Sequence, residues 1–545
     1  MVVRPMESTN TTTASRRRSG GKAEDESLRE TLVSILIAFV LAFVFRSYVV
    51  EPFVIPTGSM APTLLGAHME FRSPYTGYTW TSNPRDYLSN SPEAPAPIQG
   101  MRNNPRGHIA ATDPMSKLSL AEWNVPLHAG DRILVLKYLY AVRSPRRWDV
   151  VVFKNPEQPQ QNYIKRLAGL PNEELWIADG DLFTRPANTN DAWHVARKPD
   201  RIQRALWRTL FSSEWAPRVD EHDGKPWRGP WVAEGVVTTG KSYRIPIGET
   251  GRAALWWNSG AWPVSDDTPY NETSPVGQGT RFPVSDVRMR AVIKPDDASV
   301  FTATARLMAR DQEFQAVLGP DGVVIRQRSA PTADDSAVAP AGEIEWQTLA
   351  TSDGRVFQSG KQSDVEFWHA DQRLSVWVGG KKVCSAAYDW GPIERIRNAT
   401  GIEIKPVGTA YETPRTSNLG RARYYRRPVI SWLFTGSDAT LTRVGLDRDL
   451  YYQTGRAPWR TTLPETVFTL GPDQFFVLGD NSPASKDGRM WTSVDPWVAE
   501  EFDPTVGVVD GDLMMGRAFF VYFPAPEKAF GKVPVPNFGK MRFIR

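Results

Sequence analysis

Val54-Ile-Pro-Thr-Gly-Ser-Met-Ala-Pro-Thr-Leu-Leu65 is the stretch on which the reading of this 545-residue chain turns. It follows directly on an apolar N-terminal segment and sets Ser59 in a tight turn, bounded by Gly58 and Pro62, at the end of an extended run. Two later stretches suit it chemically: Tyr163-Ile-Lys-Arg-Leu-Ala-Gly-Leu-Pro171 and Leu478-Gly-Asp-Asn-Ser-Pro-Ala-Ser-Lys-Asp-Gly-Arg489. A serine hydroxyl is a poor nucleophile until something takes its proton. The six histidines (68, 108, 128, 194, 222 and 369) show no local triad signature, and no Gly-x-Ser-x-Gly elbow is present. A lysine can do the work if burial keeps it neutral. At its ordinary pKa only about one lysine in 2,500 is neutral at pH 7, and a depression of about three units, worth about 4 kcal/mol, corrects this. The apolar strand pattern around Lys165 offers that environment. Alternation puts Lys165 on one face with Tyr163 and Leu167 and turns Arg166 away. The competing reading is an exposed strand lysine, the commoner fate of the residue.

Working outward, a chain of this length implies two to four compact units. With 44 prolines, 41 glycines and 20 tryptophans it reads as many short strands joined by turns, hence a mostly β fold. Lys and Arg (65) barely exceed Asp and Glu (61), which gives no argument for nucleic acid. Cys384 is the single cysteine, so neither an intramolecular disulfide nor a cysteine zinc site can form. Residues 1–28 are polar, with Arg16-Arg-Arg18, and read as a cytoplasmic tail. Residues 29–46 read as a transmembrane anchor. The uncharged run Thr31 to Phe45 reaches only about 22 Å as helix against a ~30 Å hydrocarbon core, and the flanking apolar residues and a snorkelling Arg46 extend it. A cleaved signal peptide or a buried helix is the alternative, but against cleavage Tyr48-Val-Val-Glu-Pro-Phe53 follows where a small-residue site would stand. The arginines place the N-terminus in the cytoplasm and the remaining chain outside.

Strands are expected over Tyr48–Ile55 (Pro52 marking an edge), in Gly130–Lys137 and Arg147–Phe153, and at Tyr163–Leu167, Glu174–Ile177, Phe475–Asp480 and Gly516–Pro524. Asp179-Gly180 makes a hairpin turn. Residues 71–126 lack periodicity and read as a surface insertion. Its opening, Ser73-Pro-Tyr-Thr-Gly-Tyr78, has the outline of a metal knuckle with hydroxyls in place of sulfurs, so no metal is expected. Residues 184–465 read as an inserted β-rich domain, with one short helix in 198–207 and successive hairpins over 365–385 that suggest a sandwich. The organisation is therefore a core built from 47–70, 127–183 and 466–545, interrupted twice.

These boxes, in this order behind an N-terminal anchor, closely resemble bacterial type I signal peptidases. Pro56–Leu64 resembles the family's nucleophile box, Trp148–Phe153 its structural strand box with Trp148 where glycine is usual, Tyr163–Pro171 its general-base box and Gly479–Arg489 its C-terminal box. The resemblance implies an antiparallel β catalytic domain on a membrane helix. It implies Ser59 as nucleophile, Lys165 as general base, and an oxyanion hole from the Ser59 N–H and the Thr57 hydroxyl. Ser485 matches a serine that orients the lysine, Asp487 and Arg489 a structural ion pair, and Asp480 and Asn481 residues that shape the turn. The implied substrates are exported preproteins, bound extended by their small-residue signal-peptide ends at the bacterial inner membrane, with the catalytic part on the outer side. No metal or organic cofactor is implied. The other class of function is a catalytically silent, membrane-anchored binding protein, with the Trp-rich insertion recognising a ligand that the sequence does not identify.

Overall fold

The computed structural model describes residues 20–545 except 85–107, 272–280, 331–344, 455–459 and stretches of one to three residues at 124, 126, 218–220, 223–224, 234–235, 240, 249–250, 408–409, 413–415, 525–526, 530–532 and 536. Most of the expected tail, and the middle of the first insertion, thus lie outside the described residues.

A single antiparallel sheet gathers strands from three distant parts of the sequence. Its path runs Val50–Val54, Arg132–Leu136, Met514–Phe523, Val150–Asn155, Gln158–Gly169, Gln474–Leu478, Val509–Asp510, with Arg542–Phe543 beside Met514–Phe523. The strand Val150–Asn155 is the pivot because its apolar run does not alternate, the mark of a strand covered on both faces. Val150 and Val152 join Ile55, Met60, Leu64, Ile133 and Val135 in one cluster. Val151 and Phe153 join Leu167, Val477 and Trp491 in another. Each such buried side chain contributes about 1.5–3 kcal/mol relative to exposure, so this strand fixes both neighbours. Pro52, opposite Leu134, sits on the edge strand, where a missing N–H leaves no gap in the ladder.

Trp148 enters this strand with φ 74°, a left-handed conformation that favours glycine. Its indole is buried, with Lys198 Nζ 5.4 Å from the ring centre, and the Trp148 backbone N–H donates to the Leu167 carbonyl at 2.7 Å. Packing of a large side chain offsets the backbone strain there.

The second body is a sandwich. One sheet contains Val237–Thr239, Ser242–Ile245, Ala439–Arg448, Val287–Pro295, Ser363–Ala370, Arg373–Val378 and Lys381–Ala387, with Arg208–Ser212 beside Ala439–Arg448. The other contains Trp231–Ala233, Arg252–Trp257, Val429–Thr435, Thr302–Ala309, Gln312–Leu318, Gly322–Ser329 and Gln347–Asp353. Alternate residues of both, among them Phe314, Trp432, Phe367 and Leu446, form one core. The expected short helix is Asp200–Leu206. The hairpin turns carry positive φ at Asp371 (48°) and Gln372 (56°) and at Gly379 (55°) and Gly380 (78°), as two-residue hairpins require.

The sandwich is locked to the core by buried ion pairs. Arg310 reaches Asp179 at 2.6 Å and Asp286 at 2.7 Å, and Arg395 reaches Asp181 at 2.8 Å. Lys198 bridges Asp371 and Asp449. Asp181, Asp286 and Asp371 come close enough to suggest a metal cage, but Arg310, Arg395 and Lys198 already hold these carboxylates, which makes the cluster a junction.

The first insertion is more regular than its sequence. His68–Arg72 pairs with Thr79–Ser82, and His108–Thr112 with Ser119–Trp123. Their turns mirror each other: Ser73 N–H donates to Tyr78 and Asp113 N–H to Leu118, with φ 77° at Gly77 and 60° at Lys117. At the positions that sulfurs would take, Asp113 Oδ2 accepts from Thr76 Oγ1 at 2.8 Å and Ser116 Oγ at 2.9 Å. Hydroxyl–carboxylate bonds tie the two turns together.

The segment expected as an anchor falls on the helix Gly20–Tyr48. Among the described residues no helix is long and apolar enough to cross a membrane. Glu30 and Arg46 bound the uncharged run, which is what limits its reach.

Candidate active site

Ser59 lies in the single 3-10 turn Gly58–Met60, anchored by the buried Met60 and Leu64 behind it. Lys165 projects from Gln158–Gly169, opposite Val151. The two side chains meet: Lys165 Nζ donates to Ser59 Oγ at 2.8 Å and to the Ile164 carbonyl at 3.1 Å. Ser59 is half-buried, so its hydroxyl is reachable, whereas Lys165 is 3% exposed. Burial lowers the lysine pKa to about 8, against the pull of Asp487 and Asp480 that would raise it. About one amine in ten is then neutral at pH 7, some 250-fold more than for a free lysine. Tyr163, whose ring centre lies 5.0 Å from Nζ, covers the amine on its own face of the strand, with Leu167 further along in the same cluster. The exposed-lysine alternative is excluded.

The C-terminal stretch closes beneath the pair. Gly479 leaves room for Ser485, whose Oγ would stand 2.1 Å from a Cβ at that position. Its N–H donates to Asp487 Oδ2 at 2.9 Å, and Arg489 grips the same carboxylate with Nε at 2.9 Å and Nη2 at 2.8 Å. Burial would raise the Asp487 pKa, but Arg489 and the Gly479 N–H hold it below the usual range. Asn481 N–H donates to the Ser59 carbonyl at 3.0 Å and its Nδ2 to the Gly58 carbonyl at 2.9 Å.

Three points differ from the sequence reading. Ser485 is buried, but its hydroxyl makes no hydrogen bond to Lys165; the ammonium spends its donors on Ser59 and Ile164, and Ser485 faces Asp487. Arg166 does turn away from Lys165, yet into a fully buried pair with Asp480, Nε to Oδ1 and Nη2 to Oδ2 both 2.7 Å. Asp480 is therefore an ion-pair partner as well as a turn residue, and Arg166 and Thr63, which donates to Asp480 Oδ2 at 2.6 Å, carry the pocket floor. Thr57 precedes the nucleophile turn in extended conformation with an exposed side chain that makes no capping bond. Among the histidines, His68 is nearest to Ser59 in sequence, but its Nδ1 is bonded to the Gly66 carbonyl at 2.8 Å and its ring stacks on His128.

Chemically, a reachable hydroxyl bonded to a dry, largely deprotonatable amine can attack an acyl carbon. The family described as signal peptidase, peptidase S26, matches residues 28–83 and 121–212, which include Ser59 and Lys165 but not 478–489. Signal peptidase I of Rickettsia typhi is 25% identical over 159 residues, 29% of this chain and 44% of that protein. Signal peptidase I of Rickettsia prowazekii gives the same identity and coverage. The chain thus spans less than half the length of the curated relatives it matches. Among solved structures, the carbohydrate binding module CBM66 from Bacillus subtilis overlaps 40% of this chain and 95% of its own at 9% identity, but at a TM-score of 0.21 that likeness carries no argument.

Proposed function

We infer that this chain, a member of the type I signal peptidase family, is a membrane-bound serine endopeptidase that removes N-terminal signal peptides from exported preproteins. The observation that carries the reading is the 2.8 Å contact of a buried, pKa-lowered lysine with a half-buried serine. In this reading neutral Lys165 takes the proton from Ser59 Oγ as the oxygen bonds to the scissile carbonyl carbon. The oxyanion is met by the Ser59 N–H and the Thr57 hydroxyl. Collapse breaks the C–N bond, and the Lys165 proton goes to the departing amine. The released chain is the mature protein, and the signal peptide remains as the acyl group on Ser59. Lys165, neutral again, takes a proton from water as its oxygen bonds to the acyl carbon, and returns that proton to Ser59 Oγ as the ester C–O bond breaks and the signal peptide leaves. Asp487–Arg489 and Arg166–Asp480 hold the floor.

The catalytic unit comprises 47–70, 127–183 and 466–545, and the helix over 29–46 holds it at the bilayer. Support for the membrane role is that Leu32, Leu36, Phe39, Leu41 and Phe43 are each at least 59% exposed, an apolar surface that water does not favour. The N-terminus is cytoplasmic and the site lies on the outer side of the bacterial inner membrane. An Ala-x-Ala peptide tests the reading: wild type cleaves it, and Ser59→Ala, which keeps the fold, does not. Equal behaviour of the two overturns it.

A further inference from the structure

The turn that carries Ser59 is held by the inserted domain as well as by the catalytic sheet. Tyr270 and Asn271, in the 3-10 turn Pro269–Asn271, are both 2% exposed. The Tyr270 ring lies so close on Gly58 that a Cβ there would stand 2.2 Å from its Cε1. Asn271 and Asn481 exchange a pair of amide hydrogen bonds, Asn271 Nδ2 to Asn481 Oδ1 at 2.7 Å and Asn481 Nδ2 to Asn271 Oδ1 at 2.9 Å. The second Nδ2 hydrogen of Asn481 goes to the Gly58 carbonyl. At the other end of the turn, Arg208 Nη2 donates to Thr63 Oγ1 at 2.8 Å, and Thr63 donates on to Asp480.

We propose that Asn271, seconded by Tyr270 and Arg208, is a positioning residue for the reaction, so that the inserted domain is part of the catalytic apparatus. The inference rests on the hydrolase reading above and deepens it. The peptide bond is planar, so the Gly58 carbonyl and the Ser59 N–H point in opposite directions along one plane. Pinning the carbonyl therefore aims the N–H. Asn481 does the pinning, and its amide is held flat by Asn271; without that partner the Asn481 amide can rotate, and the Ser59 N–H loses its aim at the developing oxyanion. The Tyr270 ring blocks the turn from relaxing toward the sandwich. Loss of one oxyanion donor lowers kcat by about 10²–10³-fold, and a misaimed donor by less, so Asn271→Ala should lower kcat by about 10–100-fold. KM should hold, because the donor matters most in the transition state.

The test uses the full chain and the Ala-x-Ala peptide, with kcat and KM measured separately, single-turnover acylation of Ser59 followed, and rates normalised to the folded fraction. The control is Gln203→Ala, which removes a buried 2.7 Å bond to Asp449 elsewhere within the inserted domain. Expected are a kcat and acylation loss for Asn271→Ala with KM within about twofold, and unchanged kcat for Gln203→Ala. Asn271→Asp, equal in size, still accepts from Asn481 Nδ2 but cannot donate to Asn481 Oδ1, so it should show a smaller kcat loss than alanine, and it serves if the alanine variant does not fold. An active wild type with Asn271 variants of full kcat, or losses matched by Gln203→Ala, overturns the positioning role alone. A wild type without cleavage overturns the hydrolase reading, and this inference with it.

Discussion

Replacing Lys165 with methionine should destroy cleavage and at the same time make the protein more stable, in a pH-dependent way. The site holds the amine at about 8 instead of 10.5 by burying it, which disfavours the protonated form in the folded state by roughly 3 kcal/mol. The sign follows from proton counting. Between pH 8 and 10.5 the unfolded chain binds more protons at this position than the folded one, so wild-type stability rises with pH across that window. Below pH 8 the penalty is fully present, and above 10.5 it is gone. Methionine fills nearly the same volume with no charge, at a packing change of about 1 kcal/mol. Ser59 is half-buried, so water can replace the lost hydrogen bond. Lys165→Met should therefore exceed wild type by about 2–3 kcal/mol at pH 6, the gain fading between pH 8 and 10.5. Urea denaturation at a series of pH values reads this out, with groups common to both proteins cancelling in the difference. A variant no more stable than wild type at pH 6, or a gain that does not change with pH, would refute the claim that the amine is kept dry.

The same geometry sets other outcomes. Arg166→Met strands the Asp480 carboxylate in a site that excludes water, so stability should fall by about 3–5 kcal/mol in a denaturation experiment. Trp148→Gly relieves a left-handed backbone worth about 1 kcal/mol but removes a buried indole worth about 3–5. It should lower the melting temperature even though glycine is the usual residue at the matching place in type I signal peptidases. Gly58→Ala drives a methyl into the Tyr270 ring and should lower kcat at least tenfold in the peptide assay, and Tyr270→Ala should restore part of it. The kcat/KM profile should rise with pH as the amine deprotonates, with half-maximal activity near pH 8.

Local chemistry was legible from the residues where it depends on neighbours in sequence. The apolar run Val150–Phe153 announces a strand covered on both faces, Asp179-Gly180 and Asp371-Gln372 announce their turns, and alternation around Lys165 separates it from Arg166. The Ser59–Lys165 meeting was legible only through resemblance, since no period links residues 106 positions apart. Where Arg166 goes was not legible at all: alternation turns it off the Lys165 face, but its partner Asp480 waits 314 positions on. Tyr270 and Asn271 carry no sequence signal, because their role comes from a docking between two bodies. Hairpins in the first insertion escaped notice because their strands are only four or five residues long, too short for the alternation of Met69 with Phe71, or of Trp80 with its polar neighbours, to stand out.

The proposed reaction needs a lysine neutral enough at physiological pH to take the serine's proton. Titrating wild type labelled at lysine Cε by ¹³C NMR, with the Lys165 resonance assigned by its loss in Lys165→Met, measures that directly. A midpoint near 8 is expected, and one near 10.5, the ordinary value, would rule out Lys165 as the base.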